Sequence, residues 1–191
     1  TYLDHAGAAV YSGAQVRAAE GALTGALLAN PHSSRATEGV LARARAEALG
    51  LLGASPETHT LAFTSGAGHA LELLGENFAW PRQGGVLLCA REGCDGALPL
   101  QRSARLAGAS CGSFGLEDLG SLVDCLDAAA PEPAAGGWPA APAAGPNLVF
   151  LPAECDFTGV RADLGCLAAL RAGALRWRVA LDASRLLAAA P

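Results

Sequence analysis

Three short apolar runs constrain the fold of this chain most: Val86-Leu87-Leu88, Leu148-Val149-Phe150-Leu151 and Val179-Ala180-Leu181. Each shows no alternation of apolar and polar positions, the pattern of a strand buried on both faces. A further run, Leu61-Ala62-Phe63-Thr64, reads as a short strand that enters the glycine-rich turn Ser65-Gly66-Ala67-Gly68. Helical stretches lie between the runs. A helix follows the turn with Leu71, Leu74 and Phe78 on one face, and another is expected over about 117–127. Strands that alternate with helices and bury both faces require helices on both sides of the sheet. The expected fold class is α/β, a mainly parallel sheet flanked by helices, with the segments near 61–64, 86–89, 148–151 and 179–182 as neighbours.

Ahead of this unit, residues 12–29 and 36–53 read as two helices. In the second, Val40, Leu41, Ala44, Ala48, Leu51 and Leu52 form an apolar stripe with Arg43 and Glu47 off it. Asn30-Pro31-His32-Ser33-Ser34 separates the two, because the residue before a proline is turned away from helical geometry. The run from Ala128 to Pro146 is rich in Ala, Pro and Gly, with little apolar bulk beyond Trp138. It is expected to be a low-complexity surface loop, the least ordered internal segment. Residues 1–191 are expected to form part of one domain with this loop inside it.

Charge narrows the function classes. Acidic residues number 18 against 13 basic, a net charge of −5, so nothing marks a nucleic-acid or anionic-membrane partner. No apolar run approaches the roughly 20 residues of a membrane span, and the start is polar. A cytoplasmic location is expected. The six cysteines, Cys89, Cys94, Cys111, Cys125, Cys155 and Cys166, form no CxxC pair, so free thiols are expected rather than a metal site. All 13 basic residues are arginine and there is no methionine, which leads to the expectation of an incomplete piece of a longer protein.

Several positions carry chemistry. The Thr64–Gly68 turn, opening a helix, offers converging backbone N–H groups and a partial positive charge, which suits a phosphate but also any ligand-free glycine turn. It is not a dinucleotide fingerprint, since Leu71 stands where the third glycine belongs. Asp182 ends an apolar strand, at the sheet edge where ligands of α/β proteins collect. A carboxylate there can pair with a protonated ring nitrogen. It can equally cap a helix or pair with Arg185. His32 in the Asn30–Ser34 segment reads as an ordinary loop histidine.

The ordered set YLDHAGAA from Tyr2, NPHS from Asn30, FTSGAGHAL from Phe63, LPAECDFTGVR from Leu151 and VALDAS from Val179 resembles the molybdenum cofactor sulfurase family. That family belongs to the class V aminotransferase-like, fold-type I pyridoxal 5'-phosphate enzymes and is related to the cysteine desulfurases. The resemblance runs from Tyr2 to about Ser184, with divergent stretches over 81–146. It implies the N-terminal part of the large domain of a fold-type I enzyme.

What it implies for the site is specific. Thr64, Gly66, Ala67 and Gly68 match the turn that holds the cofactor's phosphate, with Gly68 standing where the family usually has a hydroxyl residue. Asp182 matches the aspartate that pairs with the pyridine nitrogen. Asp156, in Asp156-Phe157-Thr158-Gly159, stands where the family has asparagine near the ring hydroxyl, and its charge is expected to weaken binding. A ring-stacking histidine has no counterpart over 89–102, where Cys94 or Asp95 sits. The Schiff-base lysine and the persulfide cysteine are expected beyond Pro191, so this chain carries no catalytic residue and is expected to be inactive alone. The implied reaction takes sulfur from L-cysteine with pyridoxal 5'-phosphate and passes it to the molybdenum cofactor of xanthine dehydrogenase and aldehyde oxidase, in a homodimer. The alternatives are another class V enzyme, a cysteine desulfurase or selenocysteine lyase, and a non-catalytic degenerate relative.

Overall fold

The computed structural model describes residues 1–3, 10–82, 84–93, 96–127, 146–168 and 177–189. Positions 4–9 of the first motif, Cys94, Asp95 and the loop from Ala128 to Gly145 with Trp138 lie outside the described residues. The chain divides into two compact units, Thr1–Phe63 and Thr64–Pro191.

The first unit carries α1 (Gly13–Gly25) and α2 (Arg35–Leu51). Ser12 starts α1 with a capping box: its hydroxyl accepts from Gln15 N at 3.2 Å, and its own N–H donates to Gln15 Oε1 at 2.6 Å. Ser34 caps α2 through Thr37 N at 3.3 Å. The segment between the helices is knotted by Asn30, whose side chain accepts from His32 N at 2.9 Å while its carbonyl accepts from Ser33 and Ser34. This is why the two helices are separate, as the sequence predicts. His32 is exposed and is used here only through its backbone.

The second unit holds α3 (Ala67–Asn77), β1 (Val86–Ala90), α4 (Leu98–Leu106), β2 (Ser110–Phe114), α5 (Leu119–Asp127), β3 (Asn147–Pro152), β4 (Trp177–Asp182) and α6 (Ser184–Ala189). The strands form one sheet in the order β2-β1-β3-β4, every pair parallel. All of β1 and β3 is buried, as two-faced apolar strands require. Their side chains divide by parity. Leu87, Cys89, Leu148 and Phe150 pack with Leu100 and Ala104 of α4 and Leu71 and Leu74 of α3. Val86, Leu88, Val149 and Leu151 pack with Leu119, Leu122 and Val123 at α5. The sheet is therefore covered on both faces, the α/β architecture read from the sequence.

One expected strand is absent. Leu61–Thr64 has no strand geometry and pairs with none of the four strands, and Phe63 is 57% exposed. A four-residue run makes a strand only when a neighbour takes its backbone hydrogen bonds, and this one straddles the boundary between the two units. The other three expected strands are neighbours: β1 pairs with β3, and β3 with β4 through Asn147↔Trp177 to Pro152↔Asp182. The fourth place in the sheet goes to β2, at the edge beside β1.

The order β2-β1-β3-β4 fixes where a ligand can sit. From β1 the chain crosses through α4 to β2 on one side; β3 and β4 build the sheet on the other. The loops leaving β1 and β3 therefore diverge, and a crevice opens between their carboxyl ends. Among the described residues no helix is long and apolar enough to cross a membrane.

Candidate cofactor site

That crevice is a cavity of about 270 Å³, lined after β1 by Arg91, Glu92, Gly93 and Gly96, and at β3 by Phe150, Pro152, Glu154, Asp156 and Phe157. Asp182 and Arg185 close it after β4. Its volume lies near the lower end of the roughly 300–1,000 Å³ usual for small-molecule sites.

Each wall has a local cause. After β1, Glu92 accepts from Leu116 N at 3.1 Å, and Arg91 pairs with Glu117 at 3.1 Å and Asp118 at 3.6 Å. These contacts tie the β1 loop to the turn after β2. Gly93 must be small, because a Cβ there would come within 2.9 Å of Pro152 Cδ and 3.2 Å of Phe150 Cε1.

After β3 the chain doubles back over 153–162. Ala162 N donates to Ala153 O, Cys155 N to Val160 O and Gly159 N to Cys155 O. Gly159 makes the reversal at φ 71°, a conformation that side-chain-bearing residues rarely adopt. Arg161 Nε braces the base on Glu154 Oε2 at 2.7 Å. The buried Cys155 thiol is held below its usual range, first by the Thr158 side chain and then by the backbone of Thr158 and Phe157. Asp156 and the exposed Phe157 are carried at the tip.

Asp182 and Asp156, from different loops, thus reach one cavity. Asp182 Oδ1 accepts from Ser184 N at 3.0 Å and from the Ser184 hydroxyl in a short contact, so it also caps α6. Among the described residues both contacts fall on Oδ1 and no cation meets this carboxylate. Arg185 instead reaches Asp156 Oδ1 at 2.8 Å. The pairing of Asp182 with Arg185 weighed from the sequence is replaced by this longer-range one.

Thr64, Gly66, Ala67 and Gly68 do not line the cavity. They form the entry to α3, where Gly66 is the N-cap and supplies no side-chain cap. Thr64 Oγ1 donates to Gly66 O at 3.0 Å, and Ser65 N donates to His69 Nδ1 at 3.3 Å. Among the described residues, beyond the adjoining backbone, no atom lies within 4 Å of where a Cβ would stand on Gly66 or Gly68, so the turn is open on its outer side. The walls formed by Arg91, Glu92, Gly93 and Gly96 were not singled out from the sequence; a glycine-bearing segment directly after an apolar strand is the signal that points to them.

Comparison with known proteins adds the decisive observation. Over 189 residues the chain is 32% identical to molybdenum cofactor sulfurase 2 of Culex quinquefasciatus, a match that takes in 96% of this chain. The chain is a relative of the molybdenum cofactor sulfurases. It is 31% identical over 209 residues to the sulfurase of Solanum lycopersicum and 29% identical over 206 residues to that of Bos taurus. These alignments cover 96% and 100% of this chain. The chain spans only 22–26% of the length of these three sulfurases. No family model and no solved structure matches it.

Proposed function

We propose that this chain is the cofactor-binding part of a molybdenum cofactor sulfurase that uses pyridoxal 5'-phosphate to mobilise sulfur from L-cysteine for transfer to the molybdenum cofactor. The observation that carries the proposal is the joint placement of Asp156 and Asp182 in one cavity at the switch point of a parallel sheet, in a chain similar to a sulfurase over 96% of its length.

The residues present suit the cofactor. A protonated ring nitrogen needs a carboxylate partner, and Asp182 offers one that no cation occupies among the described residues. Ser184 fixes its orientation by two hydrogen bonds to one oxygen, so the ring's partner is preorganised. A phosphate needs converging N–H donors, and the first turn of α3 carries them without a side-chain cap in the way. On this reading the N-terminal end of α3 would face the carboxyl edge of the sheet, beside the cavity that the turn itself does not line. When bound, pyridoxal 5'-phosphate supplies an electron sink for the chemistry on cysteine. This chain's residues bind it, orient it and hold the ring nitrogen's proton at the Asp182 carboxylate.

The amine that anchors the cofactor is a separate matter. The 191 residues contain no lysine, so borohydride reduction after mixing with the cofactor is expected to label no internal side chain of this chain. The proposal is tested on the complete natural polypeptide, with L-cysteine as sulfur donor and a desulfo xanthine dehydrogenase or aldehyde oxidase as acceptor. Release of alanine from cysteine, with cofactor-dependent activation of the acceptor, is the expected result. Alanine release without activation would favour a general cysteine desulfurase. Absence of both would favour a non-catalytic relative.

A further inference from the structure

The cavity holds carboxylates from three strand ends, and the structure treats them unequally: Glu92, after β1, accepts from Leu116 N at 3.1 Å. Glu154 is paired with Arg161 at 2.7 Å, and Asp156 with Arg185 at 2.8 Å. Among the described residues the Asp182 carboxylate has only the Ser184 N–H and hydroxyl. Arg185 stands in the first turn of α6, three residues after Asp182, yet its guanidinium spans to the β3 loop. We propose that Arg185 is a positioning residue that sets the charge of this cavity: by neutralising Asp156 it leaves Asp182 as the one carboxylate from β3 and β4 that is free to recognise a cationic ring nitrogen.

The inference rests on the cofactor reading and deepens it. A ligand with a protonated ring nitrogen also carries anionic oxygens. Two unscreened carboxylates around one small cavity would repel those oxygens and compete for the single cationic group. Pairing Asp156 removes its share of that repulsion and leaves Asp182 as the recognition point on the β3–β4 side of the cavity, with Glu92 on the β1 side. The pair is partly exposed, with side chains 39% and 72% accessible, so its worth lies in the local field rather than in fold stability. Substitution at Arg185 should accordingly leave the fold intact.

The test is a mutant cycle on the complete polypeptide, with pyridoxine 5'-phosphate as probe. This probe has the ring, its hydroxyl and the phosphate but no aldehyde, so its binding needs no lysine. Arg185→Gln is expected to weaken binding about tenfold, and Arg185→Lys, which keeps the charge, to stay within about threefold of the natural protein. Adding Asp156→Asn to Arg185→Gln should restore binding to within about threefold, because the uncompensated charge is then gone. A residue with a merely structural role would not be rescued by removing its partner. If the double variant is as weak as Arg185→Gln, Arg185 contacts the ligand itself and the proposal is overturned. Wild-type binding by Arg185→Gln overturns it too. In both cases the cofactor reading survives. If the natural protein does not bind the probe at all, the cofactor reading falls and takes the proposal with it.

Discussion

Replacing Phe150 by alanine is expected to destabilise the second unit by about 3–5 kcal/mol. Phe150 is 1% exposed and stands in β3, between Cys89 of β1 and Ala180 of β4. Its ring fills the layer between the sheet and the α3–α4 side, and it is also part of the cavity floor. Alanine removes the contacts and leaves a void that the neighbouring strands, fixed by their ladders, cannot close. Against a total of about 5–15 kcal/mol for a domain, this is a large share. Urea unfolding should show a much lower midpoint with little change in slope. A loss below about 1 kcal/mol would mean that β3 is not the buried centre of the sheet.

Asp182→Asn is expected to weaken binding of pyridoxine 5'-phosphate to the complete polypeptide by roughly thirty- to a hundred-and-fiftyfold. That is the equivalent of losing about 2–3 kcal/mol from a charge-assisted hydrogen bond. The substitution is selective. The asparagine carbonyl can still accept from Ser184 N and its hydroxyl, the two contacts that the Asp182 side chain makes among the described residues. What is lost is the charge that favours a protonated ring nitrogen. Equilibrium fluorescence titration reads the change directly. Binding within threefold of the natural protein would place the ring nitrogen elsewhere.

The strands that the sequence makes legible are those buried on both faces. Leu148–Leu151 and Val86–Leu88 read as strands because nothing but burial explains unbroken apolar runs of that length. The edge strand β2 is built from Ser-Cys-Gly-Ser-Phe and is largely accessible, so it carries no apolar run to read. Its position is fixed by pairing with β1, a long-range contact that local pattern does not encode. Leu61–Thr64 shows the converse, an apolar run that finds no partner strand.

The site divides in the same way. Asp182 could be singled out because it ends an apolar strand, and strands of a parallel sheet end at one edge, whereas Asp156 was legible only through the family resemblance. The charge expected to trouble the site at Asp156 is met by Arg185, from the first turn of α6, 29 residues away. Sequence proximity pointed instead to Asp182 as the arginine's partner. Which carboxylate wins depends on how β3 and β4 end relative to each other, and that is set by the register Pro152↔Asp182.

The central claim is that the cavity between the carboxyl ends of β1, β3 and β4 receives the ring of pyridoxal 5'-phosphate. The most direct measurement is a crystal structure of the complete polypeptide with the cofactor bound. The predicted result places the Asp182 carboxylate within hydrogen-bonding distance of the ring nitrogen, the phosphate against the first turn of α3, and the Arg185–Asp156 pair intact beside the ring. A cofactor bound elsewhere, with Asp182 held only by Ser184, would contradict the account.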